Sequence, residues 1–178
     1  LGGIYKELGN LDQALASTLK SLELKPDNPD AHMNLGSIYK NLGNLDQALA
    51  STLKSLELKP NNPDAHMNLA GIYYQLGNID KALDTTLKSL ELNPNNYDAV
   101  AQKGLLLFGL NRCSEALHSF EQAIRLGKSL QREDRAVMAH KGHCLLRMGK
   151  SIEEGYRLIR KYEGFIRISY HKDCPELN

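Results

Sequence analysis

Residues 8–26, LGNLDQALASTLKSLELKP, recur letter for letter at 42–60, an offset of 34 residues. A third, drifted copy (LGNIDKALDTTLKSLELNP) begins at Leu76. A chain copied at this period folds by stacking like units, each burying the face its neighbour leaves open. Such a chain offers a surface for holding other molecules before it offers a pocket for transforming one.

Each copy carries two apolar patterns at helical spacing. In the second copy, Ala31, Leu35, Ile38, Tyr39 and Leu42 share one helix face, and Leu45, Ala48, Leu49, Leu53 and Leu56 share another. Gly43 between them suits the left-handed conformation that closes a helix. Asn44 with Gln47, Asn10 with Gln13, and Ser151 with Glu154 read as capping boxes, whereas Asn78 has Lys81 in the partner position. Pro60 stops the second helix, and Pro63 with Asp64 suits the first turn of the next. The unit is therefore helix, tight turn, helix, tight turn.

These residues resemble the tetratricopeptide repeat family, whose 34-residue helix–turn–helix unit has Leu-Gly, Tyr, Ala and Pro at set spacings. They read here as Leu35-Gly36, Tyr39, Ala48 and Pro60, then Leu69-Ala70, Tyr73, Ala82 and Pro94, with Leu1-Gly2, Tyr5, Ala14 and Pro26 in a partial first unit. A fourth unit keeps Gly104, Ala116, Phe120 and Ala123 but has Leu107 for the Tyr and Lys128 for the Pro. A fifth keeps Gly142 and Gly149, has Glu154 where the Ala belongs, and follows a four-residue insertion placed at Gln131–Asp134. The resemblance implies an all-α, right-handed α-solenoid of about 4.5 repeats, with units near 1–28, 29–62, 63–96, 97–130 and 135–164. Residues 165–178 alternate at period two after Gly164 and read as an extended tail. The chain begins inside a helix without Met, which reads as a fragment or trimmed form.

Composition narrows the function classes. A net charge of +1 gives no bulk electrostatic case for nucleic acid, although residues 131–178 are mildly basic, with ten Lys/Arg against seven Asp/Glu. No apolar run is long enough to span a membrane. Three cysteines, Cys113, Cys144 and Cys174, make no paired framework and read as reduced thiols of a cytoplasmic protein. No phosphate loop, nucleophile elbow or paired-carboxylate motif is present, so no catalytic residue and no cofactor is assigned. His140, His143 and Cys144 form H-x-x-H-C on a helix, but no further ligand arrives with recognisable spacing and Cys144 falls in a core slot, so no metal site is assigned. Thr52 and Ser55 stand in core slots, where their hydroxyls are expected to bond back to the preceding turn. Lys103 and Lys141 replace core leucines and are expected to snorkel.

The resemblance implies that the first helices line a concave face that holds an extended peptide or a partner's helix. Helical spacing puts Met33, Asn34, Lys40, Met67, Asn68, Tyr74, Gln102, Phe108, His140, His143 and Arg147 on that face. Asn34, Asn68, Gln102 and His140 fall in equivalent slots. An amide offers donor and acceptor together, which matches a peptide backbone, and the row resembles the asparagine ladder in the superhelix of O-linked N-acetylglucosamine transferase. Met33, Met67, Tyr74 and Phe108 supply apolar contact, and Arg147 with His143 an anionic end; Arg132 and Arg135 gather near the same helix. The expected function is a non-catalytic scaffold that binds a protein or peptide segment. Alternatives are the substrate-recruiting repeat region of a larger enzyme, such as a glycosyltransferase, and self-assembly through exposed solenoid ends.

Overall fold

The structure, a computed structural model, describes residues 10–163. The first half-unit (Leu1-Gly2, Tyr5), the 165–178 tail with Gly164 before it, and Cys174 lie outside the described residues. Those described form helices and turns only. The helices are α1 (Leu11–Leu24), α2 (Pro29–Asn41), α3 (Leu45–Leu58), α4 (Pro63–Gln75), α5 (Ile79–Leu92), α6 (Tyr97–Gly109), α7 (Cys113–Ser129), α8 (Arg135–Arg147) and α9 (Ile152–Glu163). They fall into two compact bodies that divide between Pro94 and Asn95. In the first, α2 pairs with α3 and α4 with α5, while α1 packs on α2 and α3 on α4. In the second, α6 pairs with α7 and α8 with α9, and α7 packs on α8. This is the all-α helical-repeat class that the 34-residue period implies.

Side-chain caps start most helices. The amide oxygens of Asn10, Asn28, Asn62, Asn78 and Asn96 and the carboxylate of Asp134 each accept a bond from a first-turn N–H. Asn78 caps despite its Lys81, because the cap needs only the Lys81 backbone N–H (3.2 Å). Asn44, expected to cap, makes no such bond, and neither Ser151 nor Glu154 makes the expected box. Ser151 has φ +47°, and the Glu154 carboxylate instead takes Lys141 at 3.0 Å. The closing glycines behave as read: Gly43 and Gly77 have φ of +79° and +74°.

The insertion does not sit where the sequence put it. Three of the four extra residues extend α7, which has 17 residues where α5 has 14, and only one enters the following loop. Lys128 stands in the slot of Pro26, Pro60 and Pro94. Proline removes a donor and clashes with the preceding turn, whereas lysine lets the helix run on. The last tight turn, 148–151, is also one residue longer than 42–44 or 110–112. That shifts the small crossing residue from position 154 to the buried Gly155.

The core recurs with the repeat. Ala14, Ala48, Ala82 and Ala116 are fully buried, as are Ile38 and Ile72. The hydroxyls in second-helix core slots differ from one another. Thr86 bonds back to Ala82 O (2.8 Å) as expected, but Thr52 Oγ1 accepts from Asn68 Nδ2 (3.0 Å) and Ser89 donates across to Pro63 O (2.9 Å). Ser55 Oγ is buried without a partner. Alanine fits that slot in this kind of packing, so Ser55→Ala should stabilise the first body by about 1 kcal/mol, seen as a higher urea midpoint at unchanged slope. His32 and His66, equivalent residues one repeat apart, each place Nε2 on a proline carbonyl of the preceding loop, Pro26 O at 2.7 Å and Pro60 O at 2.9 Å.

Candidate functional site

In the first body, the face of α2 and α4 assigned from spacing holds Met33, Asn34, Lys40, Met67, Asn68 and Tyr74. Tyr74 is 58% exposed, whereas Met33, Asn34, Lys40 and Met67 are half-buried. Asn68 departs from the expectation. It is buried, and its Nδ2 reaches Thr52 Oγ1 at 3.0 Å and Met33 O at 3.4 Å. The donor half of this amide ties α4 to α2 and α3, which leaves its carbonyl oxygen for a ligand. Asn34, one repeat earlier, is less buried than Asn68. Met33 is also committed in part, since its Sδ accepts from Asn62 Nδ2 at 3.9 Å. The Lys40 chain lies across α4, its Nζ 3.2 Å from where a Cβ on Gly71 would stand. Glycine at 71 thus lets one lysine bridge the two first helices.

In the second body, the assigned residues of α6 and α8 converge. Gln102 is half-buried in the amide slot. The Phe108 ring meets His140 edge-on at 5.3 Å and His143 at 6.3 Å, and the two histidine rings are 6.1 Å apart. The Arg147 guanidinium carbon lies 4.2 Å over the Phe108 ring, and Nη1 donates to Asn111 Oδ1 at 3.5 Å. Arg147 itself is exposed. His140 Nδ1 lies 2.7 Å from Ala136 O, so Nδ1 carries a proton and donates to that carbonyl. His143, expected beside Arg147 at an anionic end, is buried and has a contact of its own.

Two arginines gathered here by sequence are engaged elsewhere. Arg132 pairs with Asp98 (2.9 Å) and Asp134 (3.7 Å) and stacks 4.2 Å over the Tyr97 ring. Arg135 donates to Tyr162 O at 3.2 Å. Lys141 is half-buried, and its ammonium reaches Glu154 at 3.0 Å and Glu121 at 3.9 Å. Among the described residues, no three His, Cys, Asp or Glu side chains stand together as a metal set. No helix among them is long and apolar enough to cross a membrane.

Tyr97 fixes the loop that precedes α8. Its side chain is 5% exposed and carries the Arg132 guanidinium 4.2 Å over its ring. Burial, and then the Asp134 carboxylate, push its phenol up to about 12. A folded pKa above the unfolded value means that the folded state holds the proton longer. Its stabilising contribution is complete below about pH 10 and is lost as pH rises to about 12. Absorbance titration at 295 nm should show one phenol with a midpoint near pH 12 that vanishes in Tyr97→Phe. A first-order loss of that phenol near pH 10 would contradict the assignment.

Comparison with known proteins places this architecture. The "TPR repeat" model matches residues 2–43 and 36–77, and the "Tetratricopeptide repeat" model matches residues 63–96. Together they span more than half of the chain. The chain belongs to the tetratricopeptide repeat family. Among solved structures, this tetratricopeptide repeat protein is similar to MamA at 20% identity, with 92% of each chain covered and a TM-score of 0.76. It is similar to PilF of Pseudomonas aeruginosa at 22% identity, over 90% of this chain and 72% of that one, with a TM-score of 0.79. YrrB, a tetratricopeptide repeat protein with an unusual peptide-binding site, matches at 22% identity over 90% and 80% of the two chains, with a TM-score of 0.71. At these identities the likeness is one of fold. No curated protein matches the chain. Proteins of this repeat family are in general interaction scaffolds that bind protein or peptide partners without catalysing a reaction.

Proposed function

We propose that this chain is a non-catalytic scaffold that holds an extended peptide segment on the exposed face of its first helices. The observation that carries the reading is the second-body cluster. Phe108 offers an apolar face, Arg147 an exposed cation held over it for a carboxylate, and His140 a second ring nitrogen, Nε2, for a peptide N–H. Such a set takes an apolar side chain next to a carboxylate. In the first body, Asn34 and the Asn68 carbonyl offer backbone partners, with Tyr74, Met33 and Met67 as adaptable apolar contact. Fold by itself does not choose the partner, so the reading stands on these side chains.

The test is selection of a random dodecapeptide phage library on the immobilised full chain. Enriched peptides are then measured on two double variants, Asn34→Ala/Tyr74→Ala and His140→Gln/Arg147→Gln. Asn68 is left intact because it also ties the helices together. We expect acidic–apolar peptides that lose about tenfold or more in affinity, or about 1.4 kcal/mol, on at least one variant whose circular dichroism is unchanged. No enrichment, or full affinity on both variants, would overturn the proposal.

A further inference from the structure

The turn before α7 departs from the repeat at two successive residues. Gly9, Gly43 and Gly77 are each followed by an asparagine, whereas the fourth turn reads Asn111-Arg112. Asn111 takes the left-handed conformation of Gly43 and Gly77, with φ +58° beside their +79° and +74°. Asparagine is tolerated there, but glycine adopts it at no steric cost. Arg112 stands where Asn10 and Asn78 cap, and makes no side-chain cap bond. Local rules given up together mark a turn whose side chains serve a tertiary purpose. The slot has room for one, since a Cβ on Gly43 or Gly77 would meet nothing within 4 Å.

That purpose is visible at Asn111 Oδ1, which accepts from Arg147 Nη1 at 3.5 Å and from the Cys113 thiol at 3.9 Å. Arg147 is exposed, and its guanidinium carbon lies 4.2 Å over the Phe108 ring. An aromatic face fixes the plane of a guanidinium but not its rotation within that plane. A bond at one corner fixes the rotation. With Nη1 turned to Asn111, the opposite edge, Nε with Nη2, is presented for two coplanar oxygens.

We propose that Asn111 is a positioning residue, which orients Arg147 to take an aspartate or glutamate carboxylate side-on through Nε and Nη2. This rests on reading the second-body cluster as a peptide site, and it names the group that the cluster selects. A loose cation draws any anion, whereas a fixed edge favours a planar carboxylate whose two oxygens match its two donors.

The experiment uses the full chain and its Asn111→Gly, Asn111→Asp and Arg147→Lys variants. Without ligand, the heteronuclear NOE of the Arg147 Nε–H group, assigned by its loss in Arg147→Lys, should fall in Asn111→Gly to that of an unrestrained arginine. The Tm should stay within a few degrees of the parent or rise, because glycine serves the equivalent turns. Asn111→Asp keeps the acceptor and should keep the NOE. The binding probe is the blocked peptide acetyl-Glu-Leu-Glu-Leu-amide beside its Gln counterpart, so that no terminal carboxylate takes part. The parent should prefer the Glu peptide by about tenfold, and Asn111→Gly should lose most of that preference. Arg147→Lys should lose it too, although the charge is kept, because an ammonium has no such edge. An unchanged NOE in Asn111→Gly, a Tm lower by more than about 5 °C, or full preference in Arg147→Lys would overturn the proposal. Equal binding of both peptides would overturn the carboxylate role and leave the peptide site standing. A parent that binds neither would overturn that role together with the peptide-site reading, and the ligand-free NOE then judges the positioning alone.

Discussion

Phe120→Ala is expected to destabilise the second body by about 3–5 kcal/mol, the range for an aromatic ring removed from a closed core. Phe120 is fully buried and is the largest side chain to be so. Its slot holds Thr18, Thr52 and Thr86 in the earlier units, so the ring has no counterpart in the first body. Space for it comes from Gly104, where a Cβ would stand 2.5 Å from Phe120 Cε1. Removing the ring leaves a cavity that the helix backbones are too rigid to close. The ring also lies 6.0 Å from His140, so its loss loosens the proposed peptide site from behind. Urea unfolding followed by circular dichroism measures the loss, and a cost below about 1 kcal/mol would show that the core collapses around the gap. The Gly104→Ala/Phe120→Ala double variant should recover part of the loss, since the added methyl enters vacated space, whereas Gly104→Ala alone should destabilise by overpacking.

Gly142→Ala is expected to cost about 2–3 kcal/mol through overpacking at the crossing of α8 and α9. A Cβ there would stand 2.8 Å from Gly155 O, a backbone atom that cannot rotate aside, and 3.0 Å from Ile159 Cγ1. The crossing is reciprocal, because a Cβ on Gly155 would meet Leu146 Cδ2 at 2.8 Å and Gly142 O at 3.1 Å. Two glycines thus bring the backbones together, and the buried side chains Leu158 and Tyr162 are packed around the contact. The equivalent change at Gly36 should cost less. Its Cβ would collide with Thr52 Oγ1, a side-chain atom that can turn back on its own helix as Thr86 does, at the expense of the Asn68 bond, and would stand 3.0 Å from Ala48 O against 2.8 Å for the carbonyl at Gly142. Thermal unfolding of Gly142→Ala beside Gly36→Ala separates the two, and equal losses would deny that backbone contact sets the cost.

The contrast between these glycines shows where sequence reading stopped. Both sit in the Gly slot of the repeat, and the period alone finds both. Only the packing tells that the first obstacle at Gly36 is a movable hydroxyl, with Ala48 O at 3.0 Å behind it, and that at Gly142 it is a carbonyl of the neighbouring helix at 2.8 Å. The candidate site divides in the same way. Helical spacing placed Phe108, His140 and Arg147 on one face, and the structure brings them together. The same spacing placed Asn68 and His143 beside them without showing that Asn68 spends its donor inside the stack or that His143 is buried. Face is a property of one helix, whereas burial and hydrogen bonding depend on what the next helix puts opposite.

The insertion teaches the same lesson. Lys128 in a proline slot was a visible signal that α7 continues, yet the four extra residues were assigned to the loop. A missing stop signal permits extension, and the residues that follow decide how far it goes. Here Gln131, with φ +53°, closes the helix, and Arg132 N bonds Gly127 O at 2.8 Å.

What the sequence by itself determined is the repeat. The 34-residue period, the asparagine, proline and glycine boundaries and the alternating small core residues dictate paired antiparallel helices, because these signals act within a few residues along the chain. What only the tertiary structure decided is the pairing of side chains from different helices. It set Arg147 over Phe108 and Tyr97 under Arg132. Those contacts join residues about 30 to 40 positions apart, in helices whose relative placement is set by packed volume and not by local propensity.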